Sequence, residues 1–146
     1  MPSIEERLAL LEAEREILRT LHAYGHAIDY GDEEEFLDCW LEDAALHWPV
    51  YKEPIVGREA LRAAFQGHTH APALYHKHVV VDPRIDLDGD TAHVMSYYAR
   101  LDEDPERPFI RGFGRYQDVL VRCEDGRWRS KERRTEHESP PLQLRG

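Results

Sequence analysis

The sequence has 146 residues, of which 41% are hydrophobic and 10% aromatic, a composition typical of one globular domain with one core. Acidic residues outnumber basic residues by 29 to 19, so the formal net charge is -10. A surface this acidic repels phosphate backbones and anionic bilayers, and no stretch has the length of a membrane span, so we expect neither nucleic acid nor membrane partners. Cys39 and Cys123 lack metal or redox spacing and the N terminus shows no leader pattern, which indicates a soluble cytoplasmic protein.

The first half of the chain has the spacing and capping signals of helices. Ser3 and Glu6 form a capping-box pattern ahead of a long apolar stripe, and Asp32 precedes three glutamates that suit the start of a second helix. Asp43 is expected to open a turn, and Pro49 to end the short strand that follows it. The predicted elements are a helix over 4–30, a second helix over 33–41, a strand over 44–48 and a third helix over 57–65.

The second half of the chain changes to a period of two, which predicts strands. Gly89 and Gly126 lie in hairpin-turn sequences, and a longer polar connection precedes Pro108. The predicted strands cover 74–85, 91–101, 108–123 and 128–136. Three helices with a run of antiparallel strands indicate an α+β fold, with the helices packed on one face of a curved sheet. We expect one domain over 1–137 and a loosely ordered tail over 138–146.

One ionisable residue stands beside the apolar stripe of the first helix. Ile17, Leu21, Tyr24 and Ile28 recur at helical spacing, and Asp29 lies on the flank of the face that they form. A carboxylate there costs free energy unless it is hydrogen-bonded, so it either reaches solvent beyond the helix end or lines a cavity and has a partner. Both interpretations stay open from this stretch alone.

The chain contains nine histidines, and four of them are close together: His68, His70, His76 and His78. In a strand His76 and His78 point to the same face, and an inward His78 needs a hydrogen-bond partner, for which Asp29 is the obvious candidate. The alternative is a metal site, because two histidines joined by a third or by a carboxylate suit zinc or non-haem iron. The simplest interpretation places His68 and His70 on the surface and makes one of the other two a satisfied core histidine.

The last predicted strand is rich in basic residues. Arg127, Arg129, Lys131 and Arg133 share one parity, so most of them are expected to form a solvated face. Arg133 or Arg134 is in addition a candidate anchor for an anionic group of a substrate, although solvent exposure is the expected state of both. The tyrosines of the chain, taken singly, suit ordinary core or interface positions.

A series of short motifs resembles a known family. The motifs are Tyr24 and Asp29 followed by Gly31-Asp32, then Asp43-Ala44, Gly57-Arg58-Glu59-Ala60-Leu61, His78, Asp88-Gly89-Asp90, Arg115-Tyr116 and Asp125-Gly126-Arg127-Trp128. Over residues 4 to about 137 the chain resembles a SnoaL-like domain of the nuclear transport factor 2-like superfamily. The resemblance implies a cone-shaped α+β barrel in which a curved antiparallel sheet and three helices enclose a pocket. It also implies a homo-oligomer, a trimer or a dimer, formed through the outer face of the sheet.

The placing of Asp29 and His78 is similar to that in scytalone dehydratase, hexachlorocyclohexane dehydrochlorinase and bile acid 7α-dehydratase. The resemblance implies an acid–base dyad that works without a metal or an organic cofactor on a small, mostly apolar cyclic or polyketide-like substrate. Tyr24 matches a tyrosine of the bile acid enzyme and is the third predicted catalytic residue. The residues expected to contact the substrate are Trp48, Tyr51, Tyr97, Tyr116 and Arg133.

Two classes of function are therefore compatible with the sequence. The first is a lyase of the dehydratase type, in which His78 is the base and Asp29 fixes its tautomer. The second is a non-catalytic small-molecule-binding or assembly module that keeps the cavity as architecture. An isomerase or polyketide cyclase would use the same base on a different substrate.

Overall fold

The computed structural model describes residues 1–140, which form three helices and six strands. The elements are α1 (Ile4–Tyr30), α2 (Glu33–Asp38), β1 (Trp40–His47), β2 (Ile55–Val56), α3 (Arg58–Gln66), β3 (His76–Asp88), β4 (Thr91–Asp102), β5 (Phe109–Arg122) and β6 (Trp128–His137). The strands form one curled, unclosed sheet in the order β2-β1-β6-β5-β4-β3, and α1 packs against β3 and β6. The predicted α+β fold is confirmed.

All neighbouring strands are antiparallel except β1 and β6, which run parallel. Parallel neighbours need a long connection, and here the chain passes through β2, α3 and the three long strands β3–β5 before β6 returns to β1. The sheet therefore begins and ends at two edge strands, β2 and β3, and α1 lies against the β3 edge.

Helix α1 begins and ends where the sequence predicts. The Ser3 hydroxyl accepts the Glu6 backbone N–H, and the Glu6 carboxylate accepts the Ser3 N–H, which completes the capping box. At the other end Gly31 has φ 81°, a left-handed conformation that favours glycine, and its N–H donates to the Ala27 carbonyl. Asp29 therefore lies in the last turn of α1.

The second helix is shorter than predicted. Helix α2 ends at Asp38 and Trp40 already begins β1, so Asp43, which was expected to open a turn, lies inside the strand. Trp40 pairs with Ser130 on β6, and the Ser130 N–H donates to the Cys39 carbonyl. These partners are far apart in the chain, so the apolar spacing around Trp40 does not reveal that pairing with β6 ends the helix.

The core has two parts. Ile17 and Leu21 on α1 pack with Leu120 and Trp128 against one end of the sheet. Nearer the end of α1 the core is rich in aromatic side chains, contributed by all three helices and β1: Tyr24, Phe36, Trp40 and Phe65. Tyr24 belongs both to this aromatic cluster and to the wall of the pocket described below.

Strand β3 crosses α1 at close range. As an edge strand, β3 tolerates Pro83, which cannot donate a ladder hydrogen bond. Gly25 of α1 faces β3 so closely that a Cβ there would lie 3.0 Å from the backbone oxygen of His78. The missing side chain at Gly25 lets the helix lie against the strand, which brings Asp29 to the first residues of β3.

The end of the described chain stays attached to the sheet. Glu138 and Ser139 donate their backbone N–H groups to the Phe113 carbonyl. Residues 141–146 of the predicted loose tail lie outside the described residues. Between residues 1 and 140 we find no helix that is both long and apolar enough to cross a bilayer.

Candidate active site

The Asp29 carboxylate is the centre of a hydrogen-bond network between α1 and β3. Its Oδ1 atom accepts Nδ1–H of His76 at 2.7 Å and Nδ1–H of His78 at 2.6 Å, and its Oδ2 atom accepts the backbone N–H of His78 at 2.9 Å. Only 3% of Asp29 is exposed. Burial alone would raise the pKa of Asp29, but the hydrogen bonds from the His78 ring and backbone outweigh it and hold that pKa below its usual value. Asp29 is therefore ionised at neutral pH.

His78 presents one ring nitrogen to Asp29 and the other to the pocket. Because the carboxylate can only accept, Nδ1 carries the proton, and Nε2 of the neutral ring has an unshared electron pair. Within residues 1–140 no side chain or backbone group hydrogen-bonds to Nε2. Burial lowers the pKa of His78, and Asp29 offsets this only in part, so the ring is neutral near pH 7. The ring is able to act as a base.

His76 is the satisfied core histidine of the pair. Its side chain points to the same face as that of His78, as expected for residues two apart on a strand, and the residue is 2% exposed. Nδ1 donates to Asp29, and Nε2 faces the carbonyl oxygen of Thr69 at 2.7 Å. Since both nitrogens face acceptor oxygens, His76 has no electron pair available for a substrate proton.

Asp29, His76 and His78 also form a donor set that could hold a metal ion. Two atoms bound to one ion at about 2.1 Å lie roughly 3.0–3.4 Å apart in octahedral or tetrahedral geometry. Here both imidazole nitrogens lie 2.6 and 2.7 Å from the same carboxylate oxygen, which is the spacing of charge-assisted hydrogen bonds. The arrangement therefore favours the hydrogen-bonded dyad over metal coordination.

The sequence predicts that His68 and His70 are surface residues, but the structure places both in contact with other parts of the fold. His70 contacts the Ile28 carbonyl oxygen through Nδ1 at 2.6 Å and the Phe65 carbonyl oxygen through Nε2 at 3.0 Å, so it joins the ends of α1 and α3. His68 lies beside the pocket, and burial lowers the pKa of His68 to about 4. Both are positioned by contacts between elements, which loop composition does not reveal.

A pocket of about 510 Å³ opens in front of His78. Five aromatic side chains make up much of its wall: Tyr24, Trp48, Tyr51, Tyr98 and Tyr116. Trp48 and Tyr51 stack with ring centroids 6.1 Å apart, and Tyr98 stacks on Tyr116 at 4.5 Å. Asp29 is not among the described residues that line this pocket, and it contacts the ring of His78, which is. A cavity of this size and composition suits a small, largely apolar molecule.

The Tyr24 ring lies edge-on to the His78 ring, and both line the pocket. The two ring centroids are 6.3 Å apart, and the Tyr24 oxygen accepts Nε1–H of Trp48 at 3.2 Å. Burial raises the pKa of Tyr24, with Arg133 offsetting part of the effect, so the phenol keeps its proton. Because Trp48 donates to this oxygen, the phenolic proton itself remains available to another acceptor.

Tyr97, which is predicted to contact a substrate, is not among the described residues that line the pocket. Tyr97 is 51% exposed on the outer face of the sheet, because the inward parity of β4 belongs to its neighbours Ser96 and Tyr98. The alternation predicts that one of Tyr97 and Tyr98 faces the pocket, but it does not say which.

Arg133 is neither solvated nor part of the pocket wall within the described chain. It is 1% exposed, and its Nε and Nη2 donate to the two carboxylate oxygens of Asp118 at 2.7 and 3.0 Å. Its guanidinium lies 4.4 Å from the Tyr24 ring centre and 3.9 Å from that of Tyr116. Arg133 therefore supports two pocket tyrosines from behind.

The sequence analysis missed several residues of the wall. Arg100 and Tyr98 have the inward parity of β4, so that alternation could have indicated them. His137 accepts a hydrogen bond from the Tyr98 hydroxyl at 2.9 Å, and burial raises the pKa of Tyr98 to about 12. Arg111 has the parity of outward residues and reaches the pocket through a register shift that no sequence signal marks.

Residues 9–134 match the family model of the SnoaL-like domain, so the chain belongs to the SnoaL-like domain family. A solved structure of an Asp-to-Asn variant of Rv3472, a protein of unknown function from Mycobacterium tuberculosis, is 28% identical, with a TM-score of 0.79 over 88% of this chain and 77% of that one. An NTF2-like protein with a cystatin-like fold from Novosphingobium aromaticivorans is 25% identical, with a TM-score of 0.81 over 91% and 88%.

A third structure, from Catenulispora acidiphila, was solved in complex with S-DNPA. It is 26% identical, with a TM-score of 0.74 over 88% of this chain and 94% of that one. A search of curated proteins gives no match.

Proposed function

We propose that the protein is a lyase of the dehydratase type, in which Asp29 and His78 act as an acid–base dyad on a small, mostly apolar cyclic or polyketide-like substrate. The observation that carries the proposal is the orientation of His78: the buried carboxylate holds Nδ1–H, and the basic Nε2 faces a cavity of about 510 Å³. A buried ion-pairing group costs free energy, and an inert cavity would tolerate apolar residues in its place.

In the proposed reaction Nε2 of His78 removes a proton from a carbon next to a carbonyl group. Asp29 stabilises the imidazolium that forms, and the Tyr24 hydroxyl donates a hydrogen bond to the developing enolate oxygen. The protonated His78 then gives the same proton to a hydroxyl group on the β carbon. The C–O bond breaks, a C=C bond forms and water leaves, so the enzyme returns to its starting state.

The comparison structures support a small-molecule role for this pocket. The related Catenulispora acidiphila protein was solved in complex with S-DNPA, so a protein of this fold can bind a small molecule. The spacing of the Asp29 contacts is that of charge-assisted hydrogen bonds and supports a mechanism that works through the Asp29–His78 pair.

A bicyclic β-hydroxy ketone provides a direct test. Loss of water from 3-hydroxy-1-tetralone gives 1-naphthol, whose fluorescence reports the reaction continuously. We expect the protein to accelerate this reaction and His78→Gln to abolish the acceleration. Incorporation of solvent deuterium next to the carbonyl without loss of water would instead indicate an isomerase or cyclase. Neither elimination nor exchange across a panel of such ketones would favour the non-catalytic binding module.

A further inference from the structure

Two arginines share one buried carboxylate at the edge of the pocket. Arg100 on β4 donates from Nε to Oδ1 of Asp102 at 2.7 Å, and Arg111 on β5 donates from Nη1 to Oδ2 of the same side chain at 3.0 Å. Both arginines line the pocket, whereas Asp102 is 5% exposed and lies behind them. Two guanidinium groups with one carboxylate leave a net positive charge at this edge.

Arg111 joins this cluster because the pairing of β4 with β5 contains a bulge. At the start of β5 the inward parity belongs to Gly112 and Gly114, so strict alternation would turn Arg111 outward. The register with β4 shifts between Arg100 and Leu101, and an extra residue at such a bulge can re-aim a side chain. The bulge therefore brings a second cation to a wall that already has one.

The charge of the pocket is opposite to that of the chain. The protein has a formal net charge of -10, yet the described residues that line the pocket include two arginines and three histidines but no aspartate or glutamate. Hydrogen bonds from Arg100 and Arg111 outweigh burial and hold the pKa of Asp102 below its usual value, so this carboxylate stays ionised and neutralises only one of the two arginines.

Both guanidinium groups have N–H donors that no protein acceptor in the described residues uses. In the described part of the chain Nη1 of Arg100 and both Nε and Nη2 of Arg111 hydrogen-bond to no protein acceptor, while Asp102 holds the two groups in place. Arg100 is also the cross-strand partner of His78, so an anion bound here would lie next to the basic ring.

We infer that Arg100 and Arg111 form a carboxylate-binding subsite, and that the ligand of the pocket is an aromatic or alicyclic carboxylic acid. The aromatic wall binds its ring system, and the paired guanidiniums bind its carboxylate through charge-assisted hydrogen bonds. The inference names the substrate class for the lyase proposed above, although binding at the subsite does not require turnover.

The test compares two probes of nearly the same shape, 2-naphthoate and 2-naphthamide, by isothermal titration calorimetry. We expect the protein to bind the carboxylate about tenfold more tightly than the neutral amide. Arg111→Met should remove most of this preference. The fold should be kept, because Arg100 alone still pairs with Asp102. The matched control is Arg122→Met, at a similarly exposed arginine outside the pocket on the same strand, which should keep the preference.

Equal affinity for the two probes, or an equal loss of preference in Arg111→Met and Arg122→Met, would overturn the subsite. His78→Gln separates this inference from the proposed reaction. If the variant binds 2-naphthoate like the wild type, the subsite stands whether or not the protein proves to be a lyase. If wild-type protein catalyses elimination but shows no preference for the carboxylate, the reaction stands and the subsite fails.

Discussion

The proposed chemistry depends on one carboxylate oxygen that two imidazole rings share. Asp29 Oδ1 holds His76, whose two nitrogens are engaged, and His78, whose Nε2 is directed to the pocket. The Asp29 carboxylate thus holds His76 in a structural role and His78 in the position of a base. The difference between the rings comes from Thr69, whose carbonyl occupies the second nitrogen of His76.

Substitutions at His78 and Asp29 should distinguish the base from the group that positions it. We expect His78→Gln to remove the catalysed elimination of 3-hydroxy-1-tetralone, a loss on the order of 10²- to 10⁴-fold. Asp29→Asn should lower the rate strongly, because the amide no longer stabilises the imidazolium. The control is His68→Gln, which changes another histidine of the pocket wall and should leave the rate within a few-fold of wild type. Equal losses at His68 and His78, measured with circular dichroism as a check on folding, would contradict the proposed base.

The pH dependence provides a second test at the level of residues. Because burial lowers the pKa of His78, the ring stays neutral until the pH falls below the ordinary histidine value of about 6.5, and the rate should decline only below that pH. Asp29 raises the pKa of His78 in the wild type, so Asn at this position should move the acid limb to still lower pH while lowering the plateau. An acid limb above pH 7 for kcat/KM would disagree with this assignment of the base.

At the scale of elements, β5 and β6 are joined by a buried ion pair that supports the pocket. Asp118 and Arg133 are cross-strand partners, and the guanidinium lies against the rings of Tyr24 and Tyr116. The pair thus connects the sheet to the end of α1. Its contribution is to hold aromatic side chains in place, since the Arg133 side chain is outside the pocket wall described here.

Removal of this arginine should destabilise the fold. Arg133→Met leaves the buried Asp118 carboxylate without its partner, a change that typically costs about 3–5 kcal/mol in the free energy of unfolding. Arg134→Met, at the next residue, breaks only an exposed pair with Glu132 and should cost about 0–1 kcal/mol. Urea unfolding of the two variants measures the difference. A loss below about 1 kcal/mol at Arg133 would show that the ion pair is dispensable.

At the scale of the whole molecule, the outer face of the sheet has an apolar surface that no other part of residues 1–140 covers. Val81, Tyr97 and Phe113 are exposed there on adjacent strands. Exposed apolar side chains that form one continuous surface often mark an interface between proteins. We therefore propose that copies of this chain associate through this face as a dimer or trimer.

Light scattering on the purified protein checks this proposal. The expected mass is two or three times the 17.1 kDa of one chain. Phe113→Asp should shift the mass towards one chain, because a carboxylate is costly to bury in an apolar interface. Asp in place of Val50, an exposed apolar residue of the pocket rim, is the matched control and should leave the mass unchanged. A wild-type mass of 17.1 kDa at micromolar concentration would rule the proposal out.

The sequence by itself determined the elements whose signals are local. Ser3 with Glu6 and Gly31 fixed the ends of α1, because capping depends on residues within one turn of each other. The glycine turns placed the hairpins, and the motif order identified the family. The pairing of Asp29 with His78 was also predicted, since a buried carboxylate needs a partner, and the structure places the two side chains 2.6 Å apart; their catalytic role stays a prediction.

Only the tertiary structure decided which face each strand presents and which distant residues meet. Alternation gives the relative phase of Tyr97 and Tyr98 but not which of them faces the helices, because both are aromatic. Arg133 shares the parity of the exposed Lys131, but a register shift between Ser130 and Glu132 turns Arg133 inward, where it meets Asp118. Arg111 reaches the pocket through a bulge. Each of these outcomes depends on contacts between segments far apart in the chain, and such contacts leave no periodic trace in the sequence.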